Sequence, residues 1–336
     1  MRHPATIRTS LAALAGLSLL LTACSPGNGT APASGTENSS EALTVVASTN
    51  VYADIARSVG GDKVHVESII NQPSQDPHSY EATAQDRLLV SKADLVIENG
   101  GGYDDFLHKL ADDSEIPHSS IVSAVEVSGL APEETGTESP AAVESGAATD
   151  SHDGHGHVHG EFNEHVWYSV DAMGKLADSI AAKLGEQDSA SAALFMANAE
   201  KFKTAAGELT GKLQALKASG AGAPVAVTEP VPVYLLEAAG LENRTPEDYT
   251  AAIEEGSDVP PAVLKAATDL AGSTDIRFLA YNLQTEGPQT EALKKAAESA
   301  GVPVIDFSET LPEGKTYLEW MTDNVENVSK VLEKNS

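Results

Sequence analysis

The strongest constraint on the fold is one long helical pattern near the middle of the chain. Over residues 190–218, apolar side chains recur at intervals of about three or four residues or their multiples, with charged residues between them. The apolar positions are Leu194, Phe202, Ala205, Leu209, Leu213 and Leu216. At 1.5 Å per residue, a helix of about 29 residues would extend roughly 40 Å. Because this length is enough to run along two domains, we predict that residues 189–218 form a linker helix.

Strand-like apolar runs alternate with helical patterns on both sides of this helix. The predicted strands lie at residues 43–47, 63–70, 95–97, 225–227, 278–281 and 302–305. Strands separated by helices indicate βαβ units and mainly parallel sheets. A glycine run at residues 100–102 lacks the spacing of a dinucleotide loop and predicts a tight turn between strand and helix. We therefore predict an α/β fold with two βαβ-type lobes, residues 42–188 and 219–336, joined by the long helix.

The beginning of the chain carries the features of an exported, lipid-anchored protein. Arg2 and Arg8 precede an apolar stretch at residues 11–21, about half the ~20 residues that a membrane-spanning helix needs. The sequence LTAC, which ends at Cys24, resembles the lipobox of bacterial lipoproteins and implies lipidation of that cysteine. We expect a signal peptide at residues 1–23, a lipidated tether at residues 24–41 and an extracytoplasmic location, anchored to the cell membrane.

Charge and motif content exclude several classes of protein. With 50 acidic and 21 basic residues, the net charge of −29 argues against nucleic acid as a partner, because phosphate binding needs clustered Lys and Arg. The single cysteine cannot form an intramolecular disulfide or a cysteine-rich zinc site. No His-Glu-x-x-His sequence is present, and the only Glu-His pair is Glu164-His165. We expect no enzymatic activity, and a metal-dependent hydrolase is the weaker alternative.

An acidic segment at residues 131–163 interrupts the first lobe and carries a short run of histidines. It is rich in Gly, Ser, Ala and Thr, and we predict a disordered loop. Its histidines are His152, His155, His157 and His159. Imidazole is a leading ligand for zinc, copper and nickel, so the run is either an auxiliary metal-collecting loop or a solvated insert without a role.

Two further histidines lie where ligands usually bind in an α/β lobe. His78 follows a predicted strand in a proline-restrained loop, and His165 lies where the helical pattern returns after the acidic segment. Ligands of such folds usually bind near the carboxyl ends of the strands. Both histidines are therefore candidate metal ligands.

Several motifs resemble those of the zinc and manganese solute-binding proteins of ABC importers. The matching sequences are DPHSYEATAQD around His78, NEHVWYS around His165 and VTEPVPVYLLEAAGL around Glu229, and residues 45–70 fit the opening of the same family. The similarity covers nearly all of residues 43–333 apart from the acidic segment. It implies two α/β lobes joined by a rigid helix, a metal ion as cargo, and an ABC permease with its ATPase as partners.

The resemblance also implies a set of four ligands. His78 and His165 would come from the first lobe, Glu229 would take the third position, and Glu309 the fourth, with Asp306 as a less favoured substitute. Two neutral imidazoles and two carboxylates balance the charge of a dication. The segment before His165 departs from the usual Asp-Pro of the family, and the two second-lobe ligands depart from the commonest zinc pattern.

The identity of the ion is the least constrained expectation. Two carboxylates favour a harder ion such as manganese, with iron as a further alternative, whereas the histidine run favours zinc. We expect zinc as the transported ion and a monomeric protein. A surface adhesin or a metal-sequestering protein would show the same anchor and the same site, and stands as the alternative from another functional class.

Overall fold

The computed structural model describes residues 42–72, 75, 77–131 and 162–334. The first half of the described chain forms a four-stranded sheet with flanking helices. Its strands are β1 (Leu43–Thr49), β2 (Val64–Ile70), β3 (Leu95–Glu98) and β4 (Ile121–Ser123), in the order β2-β1-β3-β4. Its helices are α1 (Asn50–Gly60), α2 (Ala84–Val90), α3 (Asp105–Asp113), α4 (Ala124–Ser128) and α5 (Val170–Gln187). Each strand pair is parallel, as the alternating pattern predicts.

The second half repeats this topology. Its strands are β5 (Ala223–Val227), β6 (Leu241–Asn243), β7 (Leu279–Asn282) and β8 (Val304–Phe307), in the order β6-β5-β7-β8, and their pairs are again parallel. Its helices are α7 (Val233–Ala238), α8 (Glu247–Glu254), α9 (Pro261–Ala271), α10 (Pro288–Ala300) and α11 (Tyr317–Lys334). The predicted architecture of two parallel α/β lobes is therefore confirmed.

One helix, α6 (Ala192–Gly220), connects the lobes and contacts both of them. It lies against α1 and α5 of the first lobe and against α7 and α11 of the second. Its buried positions alternate at intervals of four and three residues: Phe195, Ala199, Phe202, Ala206, Leu209 and Leu213. The predicted linker helix is confirmed, but Leu194 is exposed, because Phe195 rather than Leu194 begins this alternation.

Buried aromatic side chains join the two lobes next to the segment that carries His165. Tyr168 donates its hydroxyl hydrogen to the Ser308 carbonyl at 2.7 Å. Tyr317 donates in the same way to the Trp167 carbonyl at 2.8 Å. The Tyr168 ring also lies 5.5 Å from the ring of Trp320. These contacts fix the segment after His165 against the second lobe.

Some sequence predictions fall on parts of the chain that the structure does not describe. Cys24, the signal peptide, the tether and the loop histidines His152, His155, His157 and His159 lie outside the described residues. The lobe boundaries at residues 42–188 and 219–336 stay predictions. Among the described helices, none is long and apolar enough to cross a bilayer.

Candidate metal centre

His78 lies on the loop that follows β2, and the motif around it shapes that loop. Tyr80 anchors the segment, since its ring lies 4.9 Å from Phe106 and its hydroxyl donates to Asp86 at 3.0 Å. Thr83 and Asp86 form a capping box that begins α2. The side chain of His78 is 17% exposed, so it is reachable from solvent.

His165 immediately precedes a short 3-10 helix (Val166–Tyr168) and is buried. Its Nδ1 lies 2.7 Å from Asn163 Oδ1, which also accepts the backbone N–H of His165 at 3.1 Å. An amide oxygen can only accept, so Nδ1 carries the hydrogen and Nε2 keeps its lone pair. Asn163 in turn contacts the second lobe: it donates to the Pro230 carbonyl and its own carbonyl accepts from Tyr234.

Two carboxylates of the second lobe follow the carboxyl ends of the strands on either side of β7. Glu229 comes after β5 and Glu309 after β8, and both side chains are buried. Asn282, the last residue of β7, donates its amide hydrogens to both carboxylates, with 2.8 Å to Glu309 Oε1. Tyr103 donates to the other oxygen of Glu309 at 3.0 Å. Strand order places β7 between β5 and β8, so one side chain can bridge both acids.

His78, His165 and Glu309 come together across the two lobes. One ligand atom from each lies within 4.8 Å of the others. His78 Nε2 is 4.0 Å from Glu309 Oε2, and the two imidazole centroids are 5.9 Å apart. Tyr103 packs edge-on against His78 at 4.9 Å. Glu229 is joined to this cluster through Asn282, whereas Asp306 is an exposed residue of β8 outside it.

Two more carboxylates, Glu164 and Glu254, lie beside the histidines. Glu164 Oε1 is 3.3 Å from His78 Nδ1, without the alignment of a hydrogen bond. Glu254 Oε1 is 3.8 Å from His165 Nδ1. Sequence reasoning uses Glu164 only in the search for hydrolase motifs, although its place beside His165 was a usable signal. Glu254 belongs to α8, a helix that the sequence pattern does not predict.

Burial raises the pKa of these acids, and their mutual charge raises it further. The pKa of Glu164 rises to about 9 through burial and then the charge of Glu254. The pKa of Glu229 rises to about 8 through burial and then the charge of Glu309, and the same two causes bring Glu254 to about 7. Burial, followed by His78, lowers the pKa of His165 well below its ordinary value. Crowded acids around a neutral imidazole would be stabilised by a cation.

An open cavity of about 870 Å³ leads to this cluster from the surface. Both lobes line it, with His78 and Tyr103 on one side and Glu229 and Glu254 on the other. His165 and Glu309 lie deeper and are each 1% exposed. An ion entering from solvent therefore meets His78, Glu229 and Glu254 first.

The glycine run beside Tyr103 is the tight turn that the sequence predicts. Gly100, Gly101 and Gly102 all have positive φ angles, between β3 and α3. The positive φ angle at Gly100 strongly favours glycine there, and a Cβ atom would also displace the Ser123 hydroxyl. The turn positions Tyr103 against His78 and Glu309.

Comparisons with known proteins agree on one family of metal-uptake proteins. A family model described as zinc-uptake complex component A, periplasmic, matches residues 45–331. A manganese ABC transporter substrate-binding lipoprotein, scaA of Streptococcus gordonii, is 24% identical over 90% of this chain and 92% of its own length. PsaA of Streptococcus pneumoniae, named in the same way, is 37% identical over 28% of each chain.

Solved structures share the fold. The solute-binding protein FpvC of Pseudomonas aeruginosa, in complex with Mn2+, superposes with a TM-score of 0.66 at 21% identity, over 88% of this chain and 100% of that one. The periplasmic zinc-binding protein TroA of Treponema pallidum gives 0.64 at 18% identity, over 87% of this chain and 99% of that one. The chain therefore belongs to the zinc-uptake component A family, the metal-binding substrate-binding proteins of ABC transporters.

Proposed function

We propose that this protein binds one zinc ion between its lobes and delivers it to the permease of an ABC importer. The proposal rests on one observation: two imidazoles of the first lobe and one carboxylate of the second converge in one cluster, from His78, His165 and Glu309. Glu229, which faces the cavity, is the fourth ligand that we propose. Two neutral imidazoles and two carboxylates would leave no net charge around a dication.

Partners of the ligands support these roles. Asn163 holds His165 so that Nε2 is available. Asn282 holds Glu229 and Glu309 together. Such outer partners fix the orientation of metal ligands and tune their basicity. The cluster is therefore built to receive an ion with little rearrangement.

Manganese is the second candidate, because several relatives are named as manganese-binding lipoproteins. Carboxylates suit manganese, whereas imidazoles suit zinc, and the proposed ligand set contains two of each. We favour zinc because the three residues whose ligand atoms lie within 4.8 Å of one another supply two imidazoles and one carboxylate. A compact set of few ligands suits tetrahedral zinc.

The proposed setting is the outer face of a cell membrane. Substrate-binding lipoproteins of this family imply a permease and an ATPase as partners. We propose that Cys24 carries the lipid anchor, that residues 25–41 tether the lobes to the membrane, and that the protein acts as a monomer.

The test is a competitive titration of the metal-stripped purified protein with zinc and manganese. Chelators of graded affinity report both dissociation constants, and replacement of His152, His155, His157 and His159 by asparagine removes the loop as a second source of binding. The variants are His78→Ala and Glu229→Ala. Asp306→Ala is the matched control, because this carboxylate lies three residues from Glu309 but is exposed.

We expect one tight zinc equivalent that manganese cannot displace. Loss of either proposed ligand should weaken it at least a hundredfold, while Asp306→Ala should bind as the parent does. Manganese binding that equals or exceeds zinc binding would contradict the zinc assignment. Tight zinc binding that survives both His78→Ala and Glu229→Ala would contradict the ligand assignment itself.

A further inference from the structure

A second group of metal-ligating side chains lies on the surface of the first lobe, apart from the cluster described above. His108 and Asp112 are one turn apart on α3, and His118 begins the short 3-10 helix (His118–Ser120) that precedes β4. One ligand atom from each lies within 4.8 Å of the other two. None of the three residues belongs to the His78, His165 and Glu309 cluster.

A buried carboxylate fixes the orientation of His108. Both oxygens of Glu98, at the end of β3, lie 3.1 to 3.3 Å from His108 Nδ1. A carboxylate acceptor places the ring hydrogen on Nδ1 and leaves the lone pair on Nε2. Many metal-binding histidines are held in this way by a carboxylate behind the ring. This partner is what separates the group from an ordinary surface cluster of charged side chains.

The free ends of the three ligands already converge. Asp112 lies between the histidines, with one oxygen 4.0 Å from His108 Nε2 and the other 3.7 Å from His118 Nε2. The imidazole centroids are 5.8 Å apart. Around a tetrahedral zinc ion, with bonds of about 2.0–2.2 Å, ligand atoms lie roughly 3.3–3.6 Å apart. One ligand atom from each residue now lies within 4.8 Å of the others, so side-chain rotations that move these atoms by up to about 1 Å would close the site around zinc, and the exposed side chains have room for them.

From this geometry we infer that His108, Asp112 and His118 form a second, surface zinc site, with Glu98 as the positioning residue. Three protein ligands leave a fourth position to water, so this ion would exchange with solvent, unlike the buried ion. Two imidazoles and one carboxylate suit zinc, copper or nickel better than magnesium or manganese. The protein would then carry two zinc ions of unequal affinity.

A zinc titration of the purified protein tests this inference. The parent is the variant with asparagine at positions 152, 155, 157 and 159, so that the loop histidines add no binding, and a chromophoric chelator of intermediate affinity reports the second equivalent. The variants are His118→Ala and Asp112→Asn. The matched control is His65→Ala, because His65 is also exposed and lies 3.1 Å from a carboxylate, that of Glu67.

We expect the parent to bind a second zinc equivalent more weakly than the first. His118→Ala and Asp112→Asn should each weaken that equivalent at least tenfold, with the first equivalent and His65→Ala unchanged. Glu98→Gln should weaken binding of the second zinc equivalent about 10–100-fold and leave the affinity for the first unchanged. This result would distinguish a positioning role from a general loss of structure. A parent that binds one zinc ion only, or a second equivalent that both ligand variants retain, would overturn the inference.

Discussion

At the scale of single residues, Asn282 is the side chain on which both proposed second-lobe ligands depend. Its one amide nitrogen donates to Glu229 and to Glu309, two buried acids that would otherwise repel each other. We predict that Asn282→Ala weakens zinc binding about 10–100-fold, the usual cost of removing such a partner. Competitive titration measures this loss.

The control for this variant is Asn71→Ala, since Asn71 is exposed. It should leave zinc affinity unchanged. If Asn282→Ala bound zinc as tightly as the parent, the bridge between the carboxylates would have no part in metal binding.

The raised pKa values of the buried acids predict a pH dependence of stability in the metal-free protein. Glu229, with a pKa of about 8, and Glu164, with about 9, still hold protons at pH 7 in the folded protein, whereas carboxyls of the unfolded chain do not. Folding therefore takes up protons, and the free energy of unfolding should fall as pH rises from 7 to 9. The lowered pKa of His165 acts at lower pH, outside this window.

Denaturant unfolding at pH 7, 8 and 9 in the presence of a chelator checks this dependence. Glu229→Gln cannot lose a proton, so its stability should fall less steeply, by up to about 1.4 kcal/mol per pH unit. A parent and a Glu229→Gln variant with the same slope would show that Glu229 is already ionised at pH 7.

The candidate ligands found from the sequence differ from the residues it missed in how their positions are determined. His78 and His165 stand in short motifs, so local sequence is enough to find them, and the structure brings both to one place. Asn282 and Glu254 reach the cluster through the pairing of distant strands and the placement of a short helix. No local pattern marks such residues, because their role exists only after the chain has folded.

At the scale of elements, α6 is the helix whose packing both lobes share. Phe202 is buried on it and stacks on Tyr317 of α11 at 5.9 Å. We predict that Phe202→Ala lowers the free energy of unfolding by about 3–5 kcal/mol, through lost apolar burial and the cavity left behind. Chemical denaturation of the metal-free protein measures the change.

Leu194→Ala is the control on the same helix, because this leucine is 39% exposed. Its effect should stay within about 0.5 kcal/mol, as for most surface substitutions. A loss of stability for Leu194→Ala as large as that for Phe202→Ala would contradict the assignment of the buried face.

Element length decides how much of the fold the sequence could predict. The long pattern of α6 and the apolar runs of β1, β2 and β3 are recognised at nearly their observed bounds. β4 and β6 have three residues each and α4 has five, too few for a period to repeat. α8 has eight residues and is not predicted from the sequence, so Glu254 is not recognised as a candidate either.

At the scale of the whole molecule, the repeated topology explains where the centre lies. Both lobes have the same strand order, and His78 follows β2 in the first lobe as Glu309 follows β8 in the second. An ion held by ligands of both lobes would itself join them. Because α6 contacts both lobes along its length, we expect small local closure around the ion rather than a wide hinge motion.

The most direct test of this account is a crystal structure of the zinc-loaded protein, with anomalous diffraction recorded at the zinc edge. We predict an anomalous peak between the lobes, about 2.0–2.2 Å from one nitrogen each of His78 and His165 and from carboxylate oxygens of Glu309 and Glu229. A fully occupied zinc ion elsewhere, with the His78 and His165 cluster empty, would contradict the central claim.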